Sequence, residues 1–147
     1  MKKLFFATAA ILFGFSAFAQ NTGKLLDNYI SVKNALVSSD APAAAQAIHT
    51  LYQSVKAETD FAEKEALLQA TEKLHKAANI EKQRAAFNDI STVMWAVVKG
   101  PGKTGQAVYY QYCPMKKAYW LSKEKEIKNP YYGSAMLSCG KVVETKE

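Results

Sequence analysis

The feature that most constrains the fold is a long stretch, Lys24 to Lys99, which is rich in Ala, Leu, Lys, Glu and Gln and contains a single proline. Apolar residues recur within it at the spacing of one helix face. Pro42 stands where a helix would begin, and it is tolerated there because the first amides of a helix have no intrahelical partner. This stretch therefore predicts a mainly α protein.

Capping signals divide the stretch into four amphipathic helices. Ser38-Ser39-Asp40 ends the first helix and caps the second. Asp60, followed three residues later by Glu63, resembles a capping box and predicts the start of the third. Asn79-Ile80 is a weaker boundary, but globular helices of roughly 8 to 20 residues favour a break there over one long kinked rod. With a fourth helix from about Glu81 to Gly100, the short connections predict a four-helix up-down bundle.

The N-terminus has the three parts of a secretory signal peptide. Lys2 and Lys3 give a positive start, Leu4 to Phe15 an apolar stretch, and Ala17-Phe18-Ala19 a small-x-small cleavage site. The apolar stretch is shorter than the roughly 20 residues needed to cross a bilayer. We therefore expect residues 1–19 to be cleaved and residues 20–147 to form one helical-bundle domain, periplasmic or secreted, with no membrane span after signal cleavage.

Charge and motif content argue against two classes of function. The net charge of +6 falls to +4 without Lys2 and Lys3, leaving 17 basic against 13 acidic side chains, scattered rather than clustered. This pattern indicates a solvated surface and no nucleic-acid partner. The sequence also lacks a Gly-x-Ser-x-Gly elbow, a phosphate-cradling glycine loop, His-Glu-x-x-His and Cys-x-x-Cys. We therefore expect no enzyme activity.

The C-terminal segment, about 106–147, has a different, densely aromatic character. Val108 to Tyr112 and Lys141 to Glu144 are β-branched or aromatic runs and predict short strands. The aromatic residues predict a cap over the open end of the bundle, which we favour because buried aromatics provide large contact area, or a partner-binding surface. If the two strands pair antiparallel, Cys113 lies next to Cys139.

That pairing would gather two thiols and two thioethers, from Cys113, Met115, Met136 and Cys139. Four soft sulfur ligands suit Cu(I) or Ag(I), whereas Mg²⁺ and Ca²⁺ prefer oxygen and zinc prefers His or more Cys. The residues leave an alternative open, in which a Cys113–Cys139 disulfide staples the segment and the methionines fill gaps. Such a bridge closes a loop of roughly 27 residues and would contribute about 3 kcal/mol in the chain-entropy model.

The two histidines are candidate additional ligands. His49 and His75 lie beside the apolar stripes of the second and third helices. Imidazole binds copper well, but nothing in the sequence fixes either ring near the sulfurs. The simpler alternative is that both histidines merely flank the core.

Several motifs resemble a bacterial exported domain family of unknown function, which occurs alone and fused to the end of copper and silver efflux membrane-fusion proteins. They are Asp40 before the second helix, Gln83-Arg84-Ala85-Ala86-Phe87, Tyr112-Cys113-Pro114-Met115, Tyr119-Trp120-Leu121-Ser122, Ile127-Lys128-Asn129-Pro130-Tyr131-Tyr132-Gly133 and Met136-Leu137-Ser138-Cys139-Gly140. The stretch between Met115 and Tyr119 is shorter here than in the family.

The resemblance implies a role near heavy-metal handling in the periplasm, carried over to Cys113, Met115, Met136 and Cys139 by position. The first hypothesis is thus a non-catalytic accessory protein that binds Cu(I) or Ag(I) and serves metal efflux or homeostasis. The second is a protein-interaction module that docks on an efflux or envelope partner, with a structural disulfide between Cys113 and Cys139.

Overall fold

The computed structural model describes the backbone of residues 13–102 and 104–147, and the side chains of residues 21–102 and 104–147. The predicted signal segment, residues 1–19, lies outside the range whose side chains are described, and most of it lies outside the described backbone. Cleavage of that segment therefore stays a prediction.

Four helices occupy the N-terminal two thirds of the chain, as the sequence predicts. They are α1 (Phe13–Val37), α2 (Ala41–Ala57), α3 (Lys64–His75) and α4 (Ile80–Lys99). Asp40 caps α2, because its side chain accepts a hydrogen bond from the Ala43 N–H at 2.9 Å. Asn79 caps α4 in the same way through the Lys82 N–H at 2.9 Å. The break between the third and fourth helices is thereby confirmed.

The capping box predicted at Asp60 and Glu63 does not form, and this prediction was wrong. Glu63 is the N-cap residue of α3, but its side chain makes no capping hydrogen bond. Asp60 is instead ion-paired with Lys64 at 3.6 Å, and the Lys64 ammonium also donates to the Glu58 carbonyl. The lysine therefore holds the turn that the two acidic residues were expected to hold.

The helices pack in sequence, each on the next, and α1 also contacts α4. Their shared core contains large apolar side chains that are almost fully buried: Leu25, Leu26, Tyr29, Leu36, Ile48, Leu51, Leu67, Leu74, Phe87, Ile90 and Met94. Burial of one such side chain contributes about 1.5–3 kcal/mol. The up-down arrangement stays a prediction. Of the helices in the described range, none combines the length and apolar character that a membrane crossing requires.

The C-terminal segment forms a small antiparallel sheet of three strands where the sequence predicted two. The strands are β1 (Val108–Cys113), β2 (Ala118–Ser122) and β3 (Lys141–Lys146), in the order β2-β1-β3. A short 3₁₀ helix, Gly133–Met136, precedes β3. The two predicted strands form and pair antiparallel, which is the condition for Cys113 to lie next to Cys139, whereas β2 was missed.

Helix side chains satisfy the outward edge of β2. The Leu121 N–H donates to the Tyr29 hydroxyl of α1 at 3.1 Å, and the Tyr119 N–H donates to Oδ1 of Asn88 on α4 at 2.8 Å. Unpaired amides at a sheet edge invite association with other chains. These two bonds occupy the Leu121 and Tyr119 amides of β2, so that they cannot pair with another chain, and they attach the sheet to α1 and α4.

Aromatic stacking continues the contact between α4 and the sheet. The Trp95 ring lies 4.8 Å from the Tyr110 ring, which in turn lies 4.8 Å from the Tyr119 ring, with near-parallel planes in both pairs. Trp95, Tyr110, Trp120 and Tyr131 are buried. Much of the aromatic segment therefore packs against the helices, as expected of a cap.

Arg84 of α4 joins three parts of the fold. Its guanidinium donates to the Leu36 carbonyl at 2.6 Å, the Ser39 hydroxyl at 2.8 Å and the Pro130 carbonyl at 2.8 Å. The α1–α2 connection and the segment before the 3₁₀ helix are thus held to α4 by one planar group.

Candidate functional site

The sheet brings the two cysteines together. Cys113 ends β1 and Cys139 precedes β3, and the pairing of Tyr112 with Lys141 places them side by side. Their Sγ atoms are 3.3 Å apart, and both are free thiols. Cys113 is fully buried and Cys139 is half-buried. This thiol pair is the candidate site.

The turn between β1 and β2 supplies hydrogen bonds to the buried sulfur. Pro114 starts the turn, and Lys117 adopts a left-handed conformation with φ of 52°. Burial opposes ionisation of Cys113, but hydrogen bonds from the Lys116 N–H, the Cys139 thiol, Asn129 and the Met115 N–H outweigh it and lower the pKa of the Cys113 thiol. Hydrogen bonds to the charged form favour that form. These hydrogen bonds therefore favour ionisation of Cys113 relative to an ordinary cysteine.

Cys139 has the opposite tendency. Its hydrogen bond to Cys113, its partial desolvation and the charge of the neighbouring sulfur all raise the pKa of the Cys139 thiol. Two interacting groups lose their protons in two steps. The opposite directions of the two shifts favour ionisation at Cys113, with the Cys139 thiol as one of its hydrogen-bond donors. The thiolate is the form of cysteine that binds metals. Cys113 can therefore supply one ligand directly, and Cys139 can supply a second when a binding metal ion displaces its proton.

Asn129 fixes the segment that carries Cys139. Its Nδ2 donates to the Cys139 carbonyl at 2.7 Å, its Oδ1 accepts from the Tyr131 N–H at 2.8 Å, and its own N–H donates to the Leu137 carbonyl at 2.8 Å. The residue is fully buried. In the sequence Asn129 stands out only as part of a motif shared with the resembling family; an Asn before Pro and two tyrosines was the one available signal of this structural role.

Gly140 allows the chain to leave Cys139 beneath the Trp120 ring. Its φ is +151°, and a Cβ at this position would lie 2.7 Å from Cη2 of Trp120 and 3.1 Å from the Tyr112 carbonyl oxygen. No other side chain fits without movement of the ring or the backbone. The glycine therefore sets how closely Cys139 approaches β1.

The two methionines are placed less favourably than the cysteines. The Met115 side chain is 66 % exposed at the tip of the turn, and its contacts with the sulfurs come from its backbone N–H. Met136 is half-buried in the 3₁₀ helix, and its carbonyl accepts from the Cys139 N–H at 3.1 Å. The structure thus brings two of the four predicted sulfur ligands together, and the thioether ligands stay a prediction.

The separation of the sulfurs lies between that of a disulfide and that of a metal chelate. A disulfide needs an S–S distance of about 2.05 Å. Two sulfurs bound to one metal at about 2.3 Å, with tetrahedral or trigonal angles, lie about 3.8–4.0 Å apart. The two Sγ atoms are 3.3 Å apart. They would have to separate by about 0.5 Å to bind one metal ion, or to approach by about 1.2 Å to form a disulfide.

The histidines lie against each other rather than at the sulfurs. Nδ1 of His49 on α2 is 3.2 Å from Nε2 of His75 on α3. The sheet that carries the cysteines packs chiefly on α4 and α1, whereas the histidines lie on α2 and α3. Among the described residues, no group of three or more His, Cys, Asp or Glu side chains is arranged to hold a metal ion.

Comparison with known proteins identifies one family, described as "Protein of unknown function (DUF3347)", which matches residues 25–106. No curated protein and no solved structure matches the chain. The matched range includes the C-terminal half of α1 and all of α2, α3 and α4, and it ends before β1. Because it covers more than half of the chain, the protein belongs to this family of proteins of unknown function.

Proposed function

We propose that the protein binds a soft monovalent metal, Cu(I) or Ag(I), at the Cys113–Cys139 thiol pair and catalyses no reaction. The observation that carries this proposal is a pair of free thiols 3.3 Å apart, one of which has a lowered pKa. Soft metal ions such as Cu(I) prefer thiolate ligands to harder oxygen ligands.

The hydrogen bonds around Cys113 support metal binding over a purely structural role. Two backbone N–H groups of the turn point at its sulfur, and groups surrounding a metal ligand tune its basicity and hold its orientation. A disulfide sulfur carries no charge and gains little from such donors. As a third ligand we propose Met136, which is half-buried and three residues before Cys139, over Met115, which is largely exposed.

A cellular role follows from the resemblance to domains fused to copper and silver efflux proteins. We infer that the protein is exported to the periplasm and serves metal efflux or homeostasis there. The signal-peptide pattern of residues 1–19 supports export.

The direct test is an anaerobic titration of the reduced protein with Cu(I) against a competing chelator. We expect tight one-to-one binding that is lost in the Cys113→Ser/Cys139→Ser variant. Met136→Leu should weaken binding more than Met115→Leu, and Met94→Leu, which changes a core methionine of α4, is the matched control. Undiminished binding by the double-serine variant would refute the proposal.

A second candidate is an interaction module with a Cys113–Cys139 disulfide. It is favoured by three large apolar side chains that are exposed in the C-terminal segment, Met115, Leu137 and Val143. These could contact an efflux or envelope partner. A free-thiol count before and after mild reduction separates the candidates: an unreactive disulfide without metal binding supports the second, and two titratable thiols support the first.

A further inference from the structure

Two exposed imidazoles meet on the surface between α2 and α3. The 3.2 Å distance joins Nδ1 of His49 to Nε2 of His75, and the ring centroids are 5.4 Å apart with planes tilted by 41°. In the absence of another ion, a hydrogen bond between them requires one ring to donate and the other to accept. At least one nitrogen therefore presents a lone pair to the space between the helices.

The His75 ring is held in place by its neighbours. Tyr52, one turn after His49 on α2, stacks on it with centroids 4.8 Å apart and planes within 15°. The Lys56 ammonium lies over the Tyr52 ring, 5.2 Å from its centroid. The pair is thus built from both helices and does not depend on one flexible side chain.

The nitrogen separation matches that of two ligands on one metal ion. Imidazole nitrogens bind transition metals at about 2.0–2.1 Å, so two nitrogens 3.2 Å apart subtend an angle of about 100° at the ion. This angle is close to both the tetrahedral and the square-planar values. A small rotation of the two rings is therefore enough to direct both lone pairs at one ion.

The surroundings decide which metal fits. Glu72, one turn before His75, is engaged by Lys76 at 2.6 Å, and the described residues group no third His, Cys, Asp or Glu with the pair. The site offers two neutral nitrogen ligands and leaves the other coordination positions of the metal ion to solvent. It does not suit Ca²⁺ or Mg²⁺, which require oxygen ligands. Among divalent transition metals, nitrogen sites bind Cu²⁺ most tightly.

We propose that His49 and His75 form a two-imidazole chelate for divalent copper on the α2–α3 surface. This site is distinct in chemistry from the thiol pair, because nitrogen ligands take the oxidised ion whereas sulfur ligands take the reduced one. It requires no contribution from the C-terminal segment. The two sites can therefore be tested, and can fail, independently.

The test uses the full chain carrying Cys113→Ser and Cys139→Ser, so that neither thiol binds or reduces the metal. Titration with Cu²⁺ should give one site whose electron paramagnetic resonance spectrum shows two nitrogen ligands. In a bidentate chelate the second ligand raises affinity by about 10²–10⁴, so His49→Ala and His75→Ala should each weaken binding at least about 100-fold. Ni²⁺ and Zn²⁺ should bind at the same place, but more weakly.

Gln53→Ala, which changes another exposed side chain on α2, is the matched control and should leave Cu²⁺ binding unchanged. Circular dichroism confirms that each variant is folded, which is expected because both histidines are exposed. Equal affinity and an identical spectrum in the His49→Ala, His75→Ala and parent proteins would overturn the proposal. Loss of Cu²⁺ binding in the histidine variants with Cu(I) binding retained in the wild-type background would establish two separate sites.

Discussion

The Tyr29 hydroxyl stands at the junction of α1, α4 and the sheet, and its removal tests how that junction is stabilised. The hydroxyl accepts from the Leu121 N–H at 3.1 Å and bonds Ser91 Oγ at 2.7 Å, while Ser91 donates to the Phe87 carbonyl at 2.7 Å. Ser91 has a single hydroxyl proton, which it donates to Phe87. The Tyr29 hydroxyl must therefore donate to Ser91 while it accepts from Leu121. Burial also raises the pKa of Tyr29, so the hydroxyl stays a donor.

Tyr29→Phe keeps the ring, which stacks on Phe87 with centroids 5.0 Å apart, and removes only the oxygen. The buried Leu121 N–H is then left without a partner, at a cost of about 1–3 kcal/mol. Ser91 loses one of two bonds, which adds about 1 kcal/mol. We therefore expect the free energy of unfolding to fall by about 2–4 kcal/mol, out of roughly 5–15 for a typical domain.

The measurement is urea unfolding of the reduced protein followed by the helical circular dichroism signal, with linear extrapolation to water. Tyr109→Phe is the matched control, because the hydroxyl of this half-buried β1 tyrosine has no hydrogen-bond partner among the described residues. In a Ser91→Ala background, Tyr29→Phe should cost about 1 kcal/mol less, as expected for side chains in direct contact. A loss within about 0.5 kcal/mol of the control would refute the reasoning.

Three further predictions concern the site and its supports. Gly140→Ala should lower the free energy of unfolding by about 2–4 kcal/mol, since it combines backbone strain with a clash against a buried tryptophan ring. Gly105→Ala is the control: this glycine has φ of +75° but open space around it, so the loss should be only about 1 kcal/mol. The thiolate absorbance of Cys113 should titrate below the range of an ordinary cysteine, and Cys139→Ala should raise that midpoint by removing one donor. Because the folded-state pKa of Cys113 lies below the unfolded one, ionisation of Cys113 should stabilise the fold as pH rises from the folded value to the unfolded value. Urea unfolding of the wild-type protein against pH should detect this gain, and Cys139→Ala should reduce it. Arg84→Lys should cost about 2 kcal/mol in the same unfolding assay, because an ammonium cannot reproduce the planar fork.

The helices were predictable because their signals are local. Asp40 and Asn79 cap helices through amides three residues away, so the sequence alone contains the interaction. The capping box failed because α3 begins later than expected, with Glu63 rather than Asp60 at its N-cap, while Asp60 pairs with Lys64.

The strand β2 was missed because its burial does not alternate. Four of its five residues are buried, since β2 packs against α4 and α1 and Trp120 also contacts the Tyr131 ring. A strand without an alternating pattern cannot be distinguished by periodicity. Its ends are set by the turn after Cys113 and by contacts with Tyr29 and Asn88, which are distant in sequence.

The candidate site was predictable in its topology but not in its ligand geometry. Antiparallel pairing alone places Cys113 beside Cys139. Whether Met115 turns toward the sulfurs depends on the conformation of a four-residue turn, and the structure exposes it. The contact between His49 and His75 depends on how α2 and α3 slide along each other, which no local pattern encodes.

The position of β3 has a consequence for assembly. It lies at the edge of the sheet opposite β2, and most of its side chains are exposed. An edge strand of this kind can be exchanged between two copies, because each copy offers the same β1 partner. Such a swap would preserve the ladder with β1 and carry Cys139 along, so that each thiol pair would combine sulfurs from two chains. Dimerisation and metal binding would then be coupled through a single strand.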